Sequence, residues 1–263
     1  MRIVHICSEA VPWAKTGGLA DVAGALTPYL ARNGHQVTLF LPLYRSVGDA
    51  GFEPGAPLLE LGPAELGLPA SAAIRPLEGP SGLQVRLVDA PALFDRDGLY
   101  GDSTGDYPDN LLRFAVFCRA ALCALEQPPE ILHCHDWQTA LVPVLLRAGL
   151  PPGAGALSGE LPASVMTIHN LAYQGRFPAE AWADTGLPEN WFRADRLEYY
   201  GGINLLKGGM IAADRVTTVS PTYAREIATP EFGFGLEGVI GALPRPVTGI
   251  LNGIDTDTWN PAA

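Results

Sequence analysis

Lysine is almost missing from this sequence. Its 263 residues carry two, Lys15 and Lys207, and arginine supplies the other positive charges. Asp and Glu outnumber Lys and Arg 28 to 17, the formal net charge is −11, and no basic run occurs. Binding to a nucleic-acid backbone draws on clustered Lys and Arg, so the composition excludes that partner. Cysteine is scarce too. Cys7, Cys118, Cys123 and Cys134 form no Cys-x-x-Cys pair, and buried free thiols are expected in place of disulfides or a zinc site. No stretch approaches the roughly 20 apolar residues that span a bilayer. Met1–Ser8 is too short an apolar run for a signal peptide and reads as a first strand; a soluble, cytoplasmic protein without membrane partners is expected. Two nucleotide signatures are absent as well: neither G-x-G-x-x-G nor G-x-x-x-x-G-K-[ST] appears.

What is present describes a packed α/β protein. Hydrophobic residues make up 48% and charged residues 17%, enough to bury a real core. Arg2–Cys7 is an apolar, β-branched run. Leu19, Val22, Ala23, Leu26 and Leu30 then recur at helical spacing before Gly34, and Gln36–Leu41 is a second strand closed by Pro42. Strand, helix and strand within about forty residues make a βαβ unit, hence a parallel sheet. Further strands are expected at Leu83–Val88, Ile131–Cys134, Ala163–Ile168, Arg215–Val219 and Val247–Leu251. Helices are expected at Asp109–Leu125, Trp137–Arg147 and Gly202–Ala213. The Gly/Pro-rich stretch Gly48–Gly82 reads as short strands or a hairpin excursion. The fold class is α/β, a doubly wound, mostly parallel, Rossmann-like sheet, whose ligands sit at the carboxyl ends of the strands.

The motifs fall at those ends. Lys15-Thr16-Gly17-Gly18-Leu19-Ala20-Asp21-Val22 lies between the first strand and first helix. Its glycines let a ligand approach the backbone, the helix amino terminus offers free N–H groups to an anion, and Lys15 adds a point charge. A turn with a helix cap is the structural alternative. Lys207 also adjoins two glycines, Gly208 and Gly209, which singles it out beside Lys15. In His133-Cys134-His135-Asp136-Trp137-Gln138, the two histidines share a strand face as a metal pair would. No third ligand is nearby in sequence, so packing is expected, with Asp136 either facing the cleft or capping a helix. His169-Asn170-Leu171-Ala172-Tyr173-Gln174-Gly175 follows another strand and is a polar, aromatic cluster suited to a carbohydrate. Tyr100-Gly101-Asp102 and Tyr107-Pro108-Asp109-Asn110 form a polar loop whose Tyr faces can stack on sugars and whose carboxylates can accept from their hydroxyls; equally, Asp109 could cap the helix that follows. Trp182, Trp191, Phe192, Tyr199 and Tyr200 could contact a glucan, though core packing is the expectation for each.

These strings resemble the glycogen synthases of bacteria and the starch synthases of plants. The resemblance rests on Lys15–Val22, His135-Asp136-Trp137, His169–Gly175, Val219-Ser220-Pro221-Thr222-Tyr223-Ala224 and Leu251-Asn252-Gly253-Ile254-Asp255, and it covers the chain nearly end to end. It implies a GT-B-type glycosyltransferase of two Rossmann-like domains with a cleft between them. It further implies retaining transfer of glucose from ADP-glucose to the non-reducing end of an α-1,4-glucan, with no metal and no cofactor. Carried over, Lys15 with Gly17 and Gly18 meet the donor's diphosphate, Asp136 and His169 border the transferred glucose as catalytic residues, and Asn170 and Tyr100 lie beside them. Asn252 lies at the cleft.

The resemblance assigns residues 1–254 to the amino-terminal domain and 255–263 to the start of an interdomain linker. The sequence stops at Asn260-Pro261-Ala262-Ala263, so the second domain, with its adenine and ribose pocket, is a missing partner, and the chain alone is expected to have little or no activity. Three other readings stay open: a non-catalytic glucan-binding module, a nucleotide-dependent oxidoreductase, which the missing G-x-G-x-x-G disfavours, and a related transferase using UDP-glucose.

Overall fold

The computed structural model describes residues 1–253; the linker expected at 255–263 lies outside them. Strand β1 (Arg2–Ile6) runs parallel to β2 (Gln36–Pro42), joined through α1 (Gly18–Arg32). The helix buries Leu19, Ala20, Ala23 and Thr27 and stops where Gly34 takes φ +83°, a conformation glycine adopts without Cβ strain. The Gly/Pro-rich stretch forms β3 (Leu59–Leu61) and β4 (Ala72–Glu78), which add antiparallel to β5 (Gln84–Asp89). The long helix α2 (Asn110–Cys123) leads to β6 (Ile131–His135), α3 (Leu141–Ala148) and β7 (Ala163–Ile168). A small sheet of β8 (Arg176–Phe177), β9 (Glu198–Tyr199) and β10 (Gly202–Asn204) precedes α4 (Leu205–Ala212), β11 (Arg215–Thr218), α5 (Pro221–Glu226) and β12 (Thr248–Gly249).

Among the described residues the main sheet has nine strands in the order β12-β11-β7-β6-β1-β2-β5-β4-β3. All neighbours are parallel except β3/β4 and β4/β5. From β1 the chain steps one way to β2; from β6 it steps the other way to β7, β11 and β12. Right-handed crossovers therefore put α1 on one face and α3, α4 and α5 on the other. The reversal falls between the adjacent strands β1 and β6, and the crevice at their carboxyl ends is where a ligand fits such a sheet.

Three boundaries differ from the sequence pattern. Gly202–Asn204 pairs as β10, and the helix starts only at Leu205, where the Asn204 side chain accepts the Lys207 N–H at 3.0 Å. Trp137–Thr139 is a 3-10 turn and α3 begins at Leu141. The last strand contracts to Thr248–Gly249.

Lys207 belongs to the core. Its side chain is buried and its ammonium donates to the carbonyls of Ala194, Arg196 and Glu198 at 2.6, 2.7 and 2.8 Å. The adjacent glycines serve packing: a Cβ on Gly209 would sit 2.7 Å from that of Ala140, and one on Gly208 2.6 Å from Leu197 Cγ. All four cysteines are free and buried, and burial pushes the Cys118 thiol up to about 12 and that of Cys123 up to about 11. Trp182 packs in the core against Phe192, whereas Tyr200 is 87% exposed, contrary to the core expectation.

Candidate active site

A cavity of about 490 Å³ opens at the carboxyl ends of β1, β6 and β7, and seven of the eight residues singled out in the sequence line it: Gly17, Gly18, Tyr100, Asp136, His169, Asn170 and Asn252. Four separate segments of chain thus converge with the turn after β6. The eighth, Lys15, is not in the wall. Its ammonium is held by both carboxylate oxygens of Asp21, at 2.7 and 2.8 Å, with both side chains about half exposed.

The glycine-rich loop already holds an anion, and it is internal. Glu9, buried just after β1, accepts from the N–H of Thr16, from the Thr16 hydroxyl at 2.7 Å and from the Gly17 N–H at 3.1 Å. The Tyr100 hydroxyl donates to the same carboxylate at 2.6 Å and lies 2.8 Å from Ser8 Oγ. Tyr100 therefore braces the loop through its hydroxyl and is one of the residues lining the cavity. The Gly17 N–H, expected to face a diphosphate, is occupied. Gly18 and Leu19 lie in the first turn of α1, where N–H groups have no helical acceptor.

Asp136 stands on strained backbone. At φ +56°, ψ −176° it occupies a region L-residues seldom adopt, at a cost of about 1–3 kcal/mol. Its carboxylate accepts the His169 N–H at 2.7 Å, so the turn after β6 is tied to the turn after β7. Its side chain makes no cap bond to the following turn, which disposes of the helix-cap alternative. Burial pushes the carboxyl up to about 7, against the bonds from the His169 and Asn170 backbone, with the Glu9 charge adding to the rise. A carboxyl poised there can accept from a sugar hydroxyl or hold a proton beside one.

His169 is half-buried, and burial lowers its imidazole to about 4, which leaves it neutral near pH 7. Its Nε2 lies 3.0 Å from His135 Nδ1. Asn170 is exposed and accepts the Ala172 N–H, and Tyr173 stands 66% exposed at the rim. Gly175 takes φ +62° directly over Trp137, where a Cβ would lie 2.5 Å from the indole.

Sheet register brings a third histidine to the pair seen in sequence: His5 sits opposite His133, and the ring nitrogens of His5, His133 and His135 lie within 4.8 Å of one another. Metal ligation needs in-plane lone pairs aimed at one point. The rings of His133 and His135 instead stack face to face at 4.2 Å and 24°. Their nitrogens serve protein bonds, His133 to Thr167 Oγ1 at 2.7 Å and His135 to both His5 and His169. The geometry suits a hydrogen-bonded row.

Glu9 and His5 went unseen in the sequence. A carboxylate directly after the first strand, one residue past Ser8, was the available signal for Glu9. For His5 the signal needed the sheet order, because only pairing of β1 with β6 sets it against His133.

Residues 2–242 match the family model described as starch synthase catalytic domain. Glycogen synthase 2 of Geobacter sulfurreducens is 46% identical over 271 residues, covering 100% of this chain and 54% of that protein. The glycogen synthase of Syntrophotalea carbinolica is 47% identical over 274 residues, covering 99% and 54%. Among solved structures, the catalytic domain of starch synthase IV from Arabidopsis thaliana bound to ADP and acarbose superposes with a TM-score of 0.82 at 34% identity, covering 99% of this chain and 53% of that one. The fold is thus that of an amino-terminal Rossmann-like domain of a GT-B glycosyltransferase. The chain belongs to the glycogen/starch synthase family and spans about half the length of the curated relatives it matches.

Proposed function

We propose that the whole protein transfers glucose from ADP-glucose to the non-reducing end of an α-1,4-glucan with retention, in the cytoplasm, and that this chain is its acceptor-side domain. The observation that supports this is the convergence of Asp136, His169, Asn170 and the amino terminus of α1 on one cavity at the strand ends. In the reaction the bond from glucose C1 to the diphosphate oxygen breaks and its electron pair leaves with ADP. The acceptor hydroxyl attacks C1 from the same face, and its proton passes to the departing phosphate. The free N–H groups of the first turn of α1 face developing negative charge. Neutral His169 and Asp136 hold the sugar's hydroxyls.

The chain by itself is proposed to be inactive. Among the described residues the cavity wall contains the carboxyls of Glu9, Asp106 and Asp136 and neither lysine nor arginine, whereas a nucleoside diphosphate leaving group needs cationic neighbours. Incorporation of labelled glucose into glycogen, assayed with ADP-glucose and UDP-glucose in parallel, tests both points. The 263-residue chain should incorporate neither, and the full-length parent should prefer ADP-glucose. Robust incorporation by the chain alone, or preference of the parent for UDP-glucose, would overturn the corresponding part.

Lys15, next to the glycine loop in sequence and paired with Asp21, is proposed to exchange that partner for a donor phosphate. In the full-length parent, Lys15→Ala should lower kcat/KM for ADP-glucose about 10- to 100-fold, the loss of one charge-assisted bond. The unfolding midpoint should barely move, because a half-exposed ion pair contributes about 0–1 kcal/mol. Unchanged kcat/KM would remove Lys15 from donor binding.

A further inference from the structure

Three histidines form a row from the cavity wall into the sheet. His169 Nε2 lies 3.0 Å from His135 Nδ1, and His135 Nε2 lies 3.2 Å from His5 Nδ1. The row ends at His5 Nε2, which is buried and has no hydrogen-bond partner among the described residues. Each contact joins two ring nitrogens, so one must carry a proton and the other a lone pair. Burial lowers all three imidazoles, His5 and His169 to about 4 and His135 well below its ordinary value. Each ring therefore carries a single N–H at neutral pH.

One proton per ring allows the row two polarities. Pointing inward, His169 donates to His135 and His135 to His5, which strands the His5 Nε2–H in the interior with nothing to accept it. Pointing outward, His5 Nδ1–H donates to His135 Nε2, His135 Nδ1–H donates to His169 Nε2, and the stranded atom is only a lone pair. Buried N–H groups without acceptors are the rarer defect, and the outward polarity avoids one. Among the described residues no other partner competes along the row. His133, which stacks on His135, sends its own Nε2 to Thr167.

We propose that His5 and His135 are positioning residues that fix the tautomer of His169, with the proton on Nδ1 and a lone pair on Nε2. The Nδ1 of His169 has no partner among the described residues and the residue lines the cavity. It is the nitrogen left to serve a ligand, and with its proton fixed it is a hydrogen-bond donor and not a base. The group it meets must then be an acceptor, such as a sugar hydroxyl oxygen. This last step rests on the placement of His169 in the transfer site; the tautomer itself does not.

Long-range proton–nitrogen correlation spectra of the chain, labelled with ¹⁵N-histidine and recorded at neutral pH without donor or glucan, distinguish protonated from bare ring nitrogens. His169 is expected to show a protonated Nδ1 and a bare Nε2. His135→Asn, whose side-chain amide can replace the Nδ1–H, should keep that signature, and His135→Leu should convert it to a mixture of tautomers. A protonated Nε2 on His169 in the unsubstituted chain would overturn the proposal, as would an unchanged signature in His135→Leu. Should neither variant fold, the spectrum of the unsubstituted chain decides. Because no substrate is present, failure of the transferase reading would leave these spectra unaltered.

Discussion

Asp136→Asn is expected to produce a protein that is more stable at pH 8 and nearly dead as an enzyme. In the unfolded chain the carboxyl titrates near 3.8; in the fold burial pushes it up to about 7. A group raised in this way contributes stability that is complete below the unfolded value and is lost as the pH climbs through the folded one. Above pH 7 the fold must keep a carboxylate out of water, and at 1.36 kcal/mol per pH unit the penalty has a ceiling of about 4 kcal/mol. Asparagine keeps an oxygen for the His169 N–H, now accepted at 2.7 Å, and has no charge to desolvate. Urea unfolding of the chain should show the variant more stable by about 1–3 kcal/mol at pH 8, with the difference closing towards pH 4. Equal stability at pH 8 would mean that burial does not penalise the carboxylate. In the full-length parent, the same substitution should lower kcat about 10²- to 10³-fold, the range for losing one preorganised polar group at a reacting centre. Normal turnover would strike Asp136 from the proposed catalytic residues.

Lys207→Met should have the opposite profile, with a large loss of stability that originates away from the cavity. Methionine preserves the apolar stem but removes three N–H donors, which now serve the carbonyls of Ala194, Arg196 and Glu198. The segment holding those carbonyls leads into β9, and its anchor to α4 disappears. The expected cost in urea unfolding is about 2–4 kcal/mol. Lys207→Arg should recover only part of it, because a planar guanidinium cannot direct three donors at carbonyls gathered about one point. A loss below about 1 kcal/mol would show that water satisfies the carbonyls equally well.

The alternating framework was legible because β1, β2, β6 and β7 are short apolar runs, each followed by a helical stripe or a polar loop. Such periodicity survives without tertiary context. The antiparallel excursion through β3 and β4 was legible only as a region, since Gly and Pro mask strand signals there. Gly202–Asn204 looked helical because Gly-Ile-Asn leads directly into Leu205; pairing with Arg176–Phe177, distant in sequence, decided otherwise. Of the candidate site, Asp136, His169 and Asn170 were readable from strand ends, Tyr100 from its polar loop and Asn252 only through the family resemblance, while Glu9 in the same wall was not. The occupant of the glycine loop was not. Local text shows Gly17 and Gly18 as open to an anion, and only the folded chain returns Glu9 to Thr16 and Gly17. Lys207 misled for a similar reason: a lysine beside two glycines looks the same in sequence whether it meets a ligand or three carbonyls.

The Glu9 clamp has a kinetic side. A loop stitched to its own carboxylate and braced by Tyr100 keeps its shape when the cleft is empty, so an arriving ligand has little ordering entropy to overcome. Association at this wall should then resemble docking onto a finished surface, governed by charge encounter more than by rearrangement of the loop.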